Sequence, residues 1–374
     1  MKTGETKGRN PLNTWDRQIL SGFYQNILRR EILPFWLPRC LDREHGGFFN
    51  CFDNGGETLV SHDKYTWSQG RFVWIWAKLA DMDIFTPQER QGFLGLAKNG
   101  VDFLARHCLL GKEDWRSVFL MDETGAPKPV DGCAQLDMSI YADCFVAAGF
   151  ARYARTAQDE AAWEFCRRLY DSIVLRVRSG RFNTLPYPLS SEYRAHGIPM
   201  ILINLCSEVY RAAERFGSEL CIGLRAQLRE LCEDVLGHFV DSEDVLHEVI
   251  GRDGAFVDSL LGQHMNPGHT LEDMWFLLDA MEILEDRTML PAIARIAQKA
   301  FRLGWDPQWG GLYHFVGVNG WQPSGQDGEE EEPTVQLVRS DWGSKLWWVH
   351  AEALYTSLRL WKRGIGPSGR RTEL

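Results

Sequence analysis

The chain has 374 residues, 44% hydrophobic and 25% charged, the balance of a chain that buries a core and not of a disordered, collagenous or fibrous one. Its 51 acidic residues against 41 basic ones give a formal charge of −10, which argues against a nucleic-acid partner, because phosphates need a basic stripe. With no run of about eighteen apolar residues and a polar start, MKTGETKGRN, the expectation is a cytoplasmic protein without a membrane span.

Residues 1–12 read as an N-terminal arm. Residues 13–362 form one helical body, since no Pro/Ser/Gly-rich linker interrupts Trp15 to Trp361, and 363–374 read as a disordered tail with little to bury. Apolar residues at spacings of three and four recur in ten segments, 13–34, 64–81, 87–108, 135–156, 159–178, 198–216, 219–239, 269–285, 288–304 and 341–362, the signature of amphipathic helices. Between some of them, aromatic and β-branched residues before a glycine turn predict hairpins. These are Gly46 to Phe52 ahead of Asp53-Asn54-Gly55-Gly56, Ser117 to Met121 ahead of Asp122-Glu123-Thr124-Gly125, Val249-Ile250 ahead of Arg252-Asp253-Gly254, and Gly311 to Phe315 ahead of Asn319-Gly320. Paired helices with hairpins at one end predict an all-α toroid whose inner helices surround a central pocket. The run Glu329-Glu330-Glu331-Glu332 reads as a solvated loop. Nine cysteines, an odd number without a C-x-x-C pair, predict reduced thiols and no metal site.

Several stretches carry chemistry. In Asp63-Lys64-Tyr65-Thr66-Trp67-Ser68-Gln69-Gly70-Arg71, the guanidinium sits on an otherwise apolar face and needs a partner. That partner is either a carboxylate from another helix or a substrate oxygen that gains negative charge. Asn204 is likewise a polar group on an apolar stripe. Asn266-Pro267-Gly268-His269 delivers a histidine to the first turn of a helix, with Glu272 and Trp275 on the same face. Either His269 caps the turn, or the positive helix end keeps it neutral as a base near pH 7. His350, in Trp347-Trp348-Val349-His350, is a core residue or a second acid/base. Fifteen tryptophans, Trp67, Trp275 and Trp309 among them, either fill space between helices or stack on sugars. No G-x-G-x-x-G, G-x-x-x-x-G-K-[ST], G-x-S-x-G or H-E-x-x-H motif is present. Histidine, arginine and carboxylate without a cofactor suit proton transfer beside a carbonyl.

His45-Gly46-Gly47-Phe48-Phe49, Asp63-Lys64-Tyr65 with Trp67, Gln69 and Arg71, Asn266 to Glu272, and Lys345-Leu346-Trp347-Trp348-Val349-His350, in this order, together resemble the N-acylglucosamine 2-epimerase family. The resemblance runs from about Leu28 to Leu360. It implies an (α/α)6 barrel and cofactor-free epimerisation or isomerisation at C2 of N-acetylglucosamine, mannose, glucose or cellobiose. By resemblance His269 is the catalytic acid/base, Arg71 holds the O1/O2 region and Glu272 supports the site; Tyr65, Trp67, Asn204, Trp275 and Trp309 complete the expected sugar-binding set. The family's second catalytic histidine, in an F-H-x-P-R-like element on the last inner helix, has no match. Ten helical segments stand where a full barrel has twelve, so the last hairpin is expected to be missing. Two explanations stand: the chain is shortened, or His350 has taken over the second proton transfer. The partner expected is a small sugar, and a homodimer is what the resemblance suggests. The competing readings are an aldose–ketose isomerase, a catalytically impaired sugar-binding homologue, and a glycosidase acting through Glu272 and Glu352.

Overall fold

A computed structural model describes residues 17–326 and 332–365. The arm at 1–12, most of the acidic run and the tail beyond Ile365 lie outside the described residues. The helices are α1 (Arg17–Ile27), leading through a π-helical turn into α2 (Leu33–Trp36); α3 (Thr66–Ala80), α4 (Pro87–His107), α5 (Ile140–Ala157), α6 (Glu160–Arg178), α7 (Gly197–Arg215), α8 (Leu220–Asp234), the single turn α9 (Leu260–Gln263), α10 (Pro267–Leu284), α11 (Leu290–Gly304), α12 (Pro333–Asp341) and α13 (Trp347–Lys362). Each of the ten segments expected from periodicity contains a helix, although 135–139 and 342–346 are not helical; the short α9 and α12 lack the length that makes a period visible.

Two layers follow from packing. α3, α5, α7, α10 and α13 stand side by side, each against the next, while α4, α6, α8 and α11 cover them from outside. α2 covers α3 through Trp36 against Phe72, ring centroids 5.5 Å apart. Starts are marked by local chemistry. A capping box of Thr86 and Glu89 opens α4, and the Asp159 and Asn266 side chains cap α6 and α10. α3 and α5 approach closely because both are glycine at the crossing: a Cβ at Gly70 would lie 2.5 Å from the backbone of Phe145. α13 packs on α10 and α11, but no sixth inner helix closes the wall between α13 and α3 among the described residues. The faces flanking that opening stay exposed, Trp347 at 82% and Ile75 at 44%.

Among the described residues, eight short strands form four two-stranded antiparallel sheets. β1 (Cys51–Phe52) and β2 (Leu59–Ser61) make the local hairpin expected across Asp53–Gly56. The other three glycine turns also form, that at Asp122–Gly125 closed by an antiparallel Met121–Pro127 bridge, but the strands before them take their ladder partners from elsewhere in the chain. β4 (Leu120–Met121) pairs with β3 (Lys64–Tyr65), β6 (Val249–Gly251) with β5 (Tyr193–Ala195), and β8 (Val316–Gly317) with β7 (His264–Met265). Strands this short gain little from a local turn. Three of them run straight into an inner helix, and there the next loop supplies the partner. The inner helices are thus stitched together at their N-terminal ends. Lys64, fully buried, strengthens that end by donating to Asp42 Oδ2 at 2.6 Å and to the carbonyls of Gly46 and Glu123.

Candidate active site

The inner face of the ring is legible in burial. From Pro267 to Ala280, His269, Glu272, Trp275 and Asp279 are the residues that escape burial, a stripe of three- and four-residue steps facing a lumen. From Pro199 to Tyr210 on α7, Asn204 alone does. α3 contributes Trp67 and Arg71, α5 Tyr141 and Phe145, and α13 Trp348 and Glu352.

His269 is fixed from both sides. Asn266 Oδ1 accepts hydrogen bonds from the backbone N–H of Gly268 and His269, setting the first turn of α10. A Cβ at Gly268 would meet the Trp348 ring at 2.5 Å, so glycine lets α13 bring that indole near the imidazole, centroids 5.5 Å apart. His269 Nδ1 lies 2.9 Å from Glu248 Oε2. The other Glu248 oxygen faces His196 Nδ1 at 3.9 Å, and His196 Nε2 is 2.9 Å from Asp273 Oδ2. His196, at the head of α7, and Asp273, on α10, are both fully buried. This relay therefore ties two inner helices to the carboxylate behind His269.

The electrostatics correct one expectation. Burial disfavours the imidazolium, but Glu248, with Glu272 and Asp273 behind it, raises the His269 pKa from 6.5 to about 8. Burial would raise Glu248, yet His269 together with His196 and His264 brings it down to about 2. A salt bridge thus outweighs the helix end, and the imidazole is mostly protonated at neutral pH in the free protein.

Across the lumen Arg71 lies over Phe145, its guanidinium carbon 4.0 Å from the ring centroid, and near Trp67 at 5.2 Å. It forms no salt bridge within 4 Å among the described residues; Glu272 and Glu352 feel its charge from further off while burial lowers its pKa. Of the two partners left open from sequence, no carboxylate is in contact. Burial raises Glu272, with His269 and Arg71 opposing. Glu352 is pushed up to about 7 by burial and by the charge of Glu272. Trp275 Nε1 donates to Glu352 Oε2 at 2.7 Å.

The structure brings Arg71, Trp67, Asn204, His269, Glu272 and Trp275 to the lumen wall. Tyr65 stands at the head of α3, its ring edge-on to Phe119. Two expected residues are corrected. His350 has both nitrogens engaged with backbone, Nδ1 with the Leu346 carbonyl at 2.8 Å and Nε2 accepting from Leu312 N–H at 2.9 Å. It anchors the loop after α11, and neither nitrogen is free to exchange a proton with a substrate. Trp309 is 78% exposed on a surface turn organised by Asp306. Sequence reasoning missed Glu248, His196, Asp273 and Trp348 as site residues; no spacing links the first two to α10, although Asp273 follows Glu272 directly.

A family model described as N-acylglucosamine 2-epimerase (GlcNAc 2-epimerase) matches residues 47–371. The N-acylglucosamine 2-epimerase of Bos taurus is 30% identical over 352 residues, covering 92% of this chain and 76% of that protein. Among solved structures, the cellobiose 2-epimerase from Spirochaeta thermophila DSM 6192 superposes with a TM-score of 0.70 at 20% identity, covering 94% of this chain and 81% of that one. A D-mannose isomerase superposes at 0.67 with 17% identity, covering 93% and 81%. At these identities the two structures speak for the fold, the (α/α)6 barrel expected above. With its family model spanning most of its length and a relative at this identity, the chain belongs to the N-acylglucosamine 2-epimerase family.

Proposed function

We propose that the chain epimerises an aldose of the N-acylglucosamine/N-acylmannosamine type at C2, removing and returning the C2 proton through an enediolate. One observation carries this reading: an imidazole held by Glu248 and a guanidinium free of carboxylate contacts both line one lumen. The carbonyl of the open-chain sugar acidifies the C2 proton. His269, once neutral, removes it, and Arg71 stabilises the charge that develops on O1 and O2, an effect worth a few kcal/mol for a well-placed donor. Inversion requires a second proton donor. Glu352, held near half-protonation at neutral pH, is assigned that role, with Trp275 orienting one of its oxygens. Nine cysteines without a disulfide fit a cytoplasmic setting.

Incubation of the purified protein with N-acetylmannosamine, N-acetylglucosamine, mannose and glucose in heavy water, followed by proton NMR, tests the proposal. Deuterium at C2 with appearance of the 2-epimer is expected. Deuterium delivered to C1 of a ketose would replace the epimerase by the isomerase, and binding without exchange would reduce the protein to a sugar-binding module.

A further inference from the structure

Below the candidate active site the inner-helix stripes end in ions. Arg152 pairs with Glu208 at 2.8 Å and with Asp81 at 3.6 Å; Arg211 joins Glu208 at 3.4 Å to Asp279 at 3.0 Å, and Arg359 continues the chain from Asp279 to Glu282. The carbonyl ends of five inner helices meet here and favour cations, so a gathering of guanidinium groups needs no ligand. Two donors, on Lys78 and Arg155, and one charged side chain of the wall, Arg152, face this end. Lys78 is exposed and has no carboxylate within 4 Å among the described residues, and partial desolvation together with the charges of Arg152 and Arg155 lowers its pKa. Arg155 reaches Asp81 at 3.7 Å without a hydrogen bond. Arg152 is 5% exposed, and its Nε has no partner. All three line a cavity of about 1670 Å³ that rises past Trp74 and Trp275 to Glu352. In a chain of formal charge −10, this end of the lumen is a local excess of positive charge.

We propose that this end of the lumen is a binding site for a phosphate-type oxyanion, with Lys78 and Arg155 as its donors and Arg152 adding its charge from the wall. The anion has two possible sources, free phosphate or the phosphate ester of a sugar. Arg71 and Lys78 are seven residues apart on α3, about 10 Å along its axis, a span suited to an extended six-carbon aldose with its carbonyl at Arg71 and a terminal phosphate at Lys78. The ester source rests on the aldose reading above; the anion site itself does not.

Calorimetric titration of the full chain with inorganic phosphate, N-acetylglucosamine 6-phosphate and N-acetylglucosamine decides the matter. Phosphate and the ester are expected to bind, each at least tenfold more weakly to Lys78→Met. Arg155→Gln serves as a second variant should the first fail to fold. An ester that binds tighter than both phosphate and the neutral sugar identifies the sugar phosphate as the source; an ester no tighter than phosphate identifies the free anion. Absence of binding by phosphate and ester, or binding unchanged in both variants, overturns the proposal. Deuterium exchange of neutral aldoses is read separately, so failure of the anion site and failure of the aldose reading remain distinguishable.

Discussion

Replacing Glu248 by Gln keeps the shape of the side chain and removes the charge that holds the proton on His269. The rise from 6.5 to about 8 corresponds to roughly 2 kcal/mol at 1.36 kcal/mol per unit. His269 is 36% exposed, so solvent screening brings the coupling nearer 1 kcal/mol. Glu248→Gln should therefore lower the pKa of the imidazole by about one unit. In the parent protein C2–H exchange rises with pH through about 8, as the base loses its proton; in the variant the rise should come about one unit lower, while the plateau falls because the ring is less firmly aimed. Stability has its own sign. Protonated His269 stabilises the fold below pH 6.5, and that contribution is lost as the pH climbs through about 8. Glu248 contributes above pH 4.5 and loses its contribution as the pH falls through about 2. The gap in melting temperature between parent and variant should then narrow from pH 6.5 towards pH 9. Exchange profiles with the same midpoint in both proteins would refute the reasoning.

Glu352→Gln should slow formation of the 2-epimer by about 10²–10⁴-fold while deuterium exchange of the starting sugar falls much less; equal losses in both readouts on proton NMR would remove Glu352 from the role of donor. His350→Ala should leave exchange intact and cost about 1–3 kcal/mol in chemical denaturation, because the Leu312 N–H loses its acceptor; loss of exchange without loss of stability would restore His350 to the chemistry. Gly70→Ala places a methyl group 2.5 Å from the backbone of Phe145, so a destabilisation of about 1–3 kcal/mol is expected, and an unchanged melting temperature would show that α3 and α5 can move apart freely.

The helices were legible because α5, α7 and α10 bury nearly all but one stripe and the other long helices bury one face, patterns that a spacing of three and four reveals. Thr86, Asp159 and Asn266 mark their starts with local chemistry. The partners of the strands were not legible. Val249 and Ile250 have the composition of a strand, but their pairing with Arg194 and Ala195 is fixed by which helices stand next to each other. The site divides in the same way. His269, Glu272 and Trp275 share one helix, and their common face is arithmetic. Glu248 reaches that imidazole, and His196 reaches Glu248, from loops before two different helices, and neither sits on a periodic stripe. The protonation of His269 escaped for that reason: the helix end was visible in the sequence, and the carboxylate that outweighs it was not.

Protonation of the base at neutral pH does not stand against its role, because the proton has somewhere to go. Glu248 holds the His269 pKa up while burial and Glu272 push that of Glu352 up towards it, so the tautomer with neutral imidazole and protonated carboxyl lies close to its ion-pair partner. That tautomer is the one the chemistry needs, a base on α10 and an acid on α13, reached without any change in net charge. Arg71 favours it less than the ion pair as long as Glu352 is the nearby anion. An enediolate under Arg71 reverses this preference, since negative charge on the sugar takes the place of negative charge on the carboxylate. Charge on the substrate and the proton on Glu352 are thereby coupled, and the coupling depends on the crowding of Glu272 against Glu352, which burial and their mutual repulsion enforce.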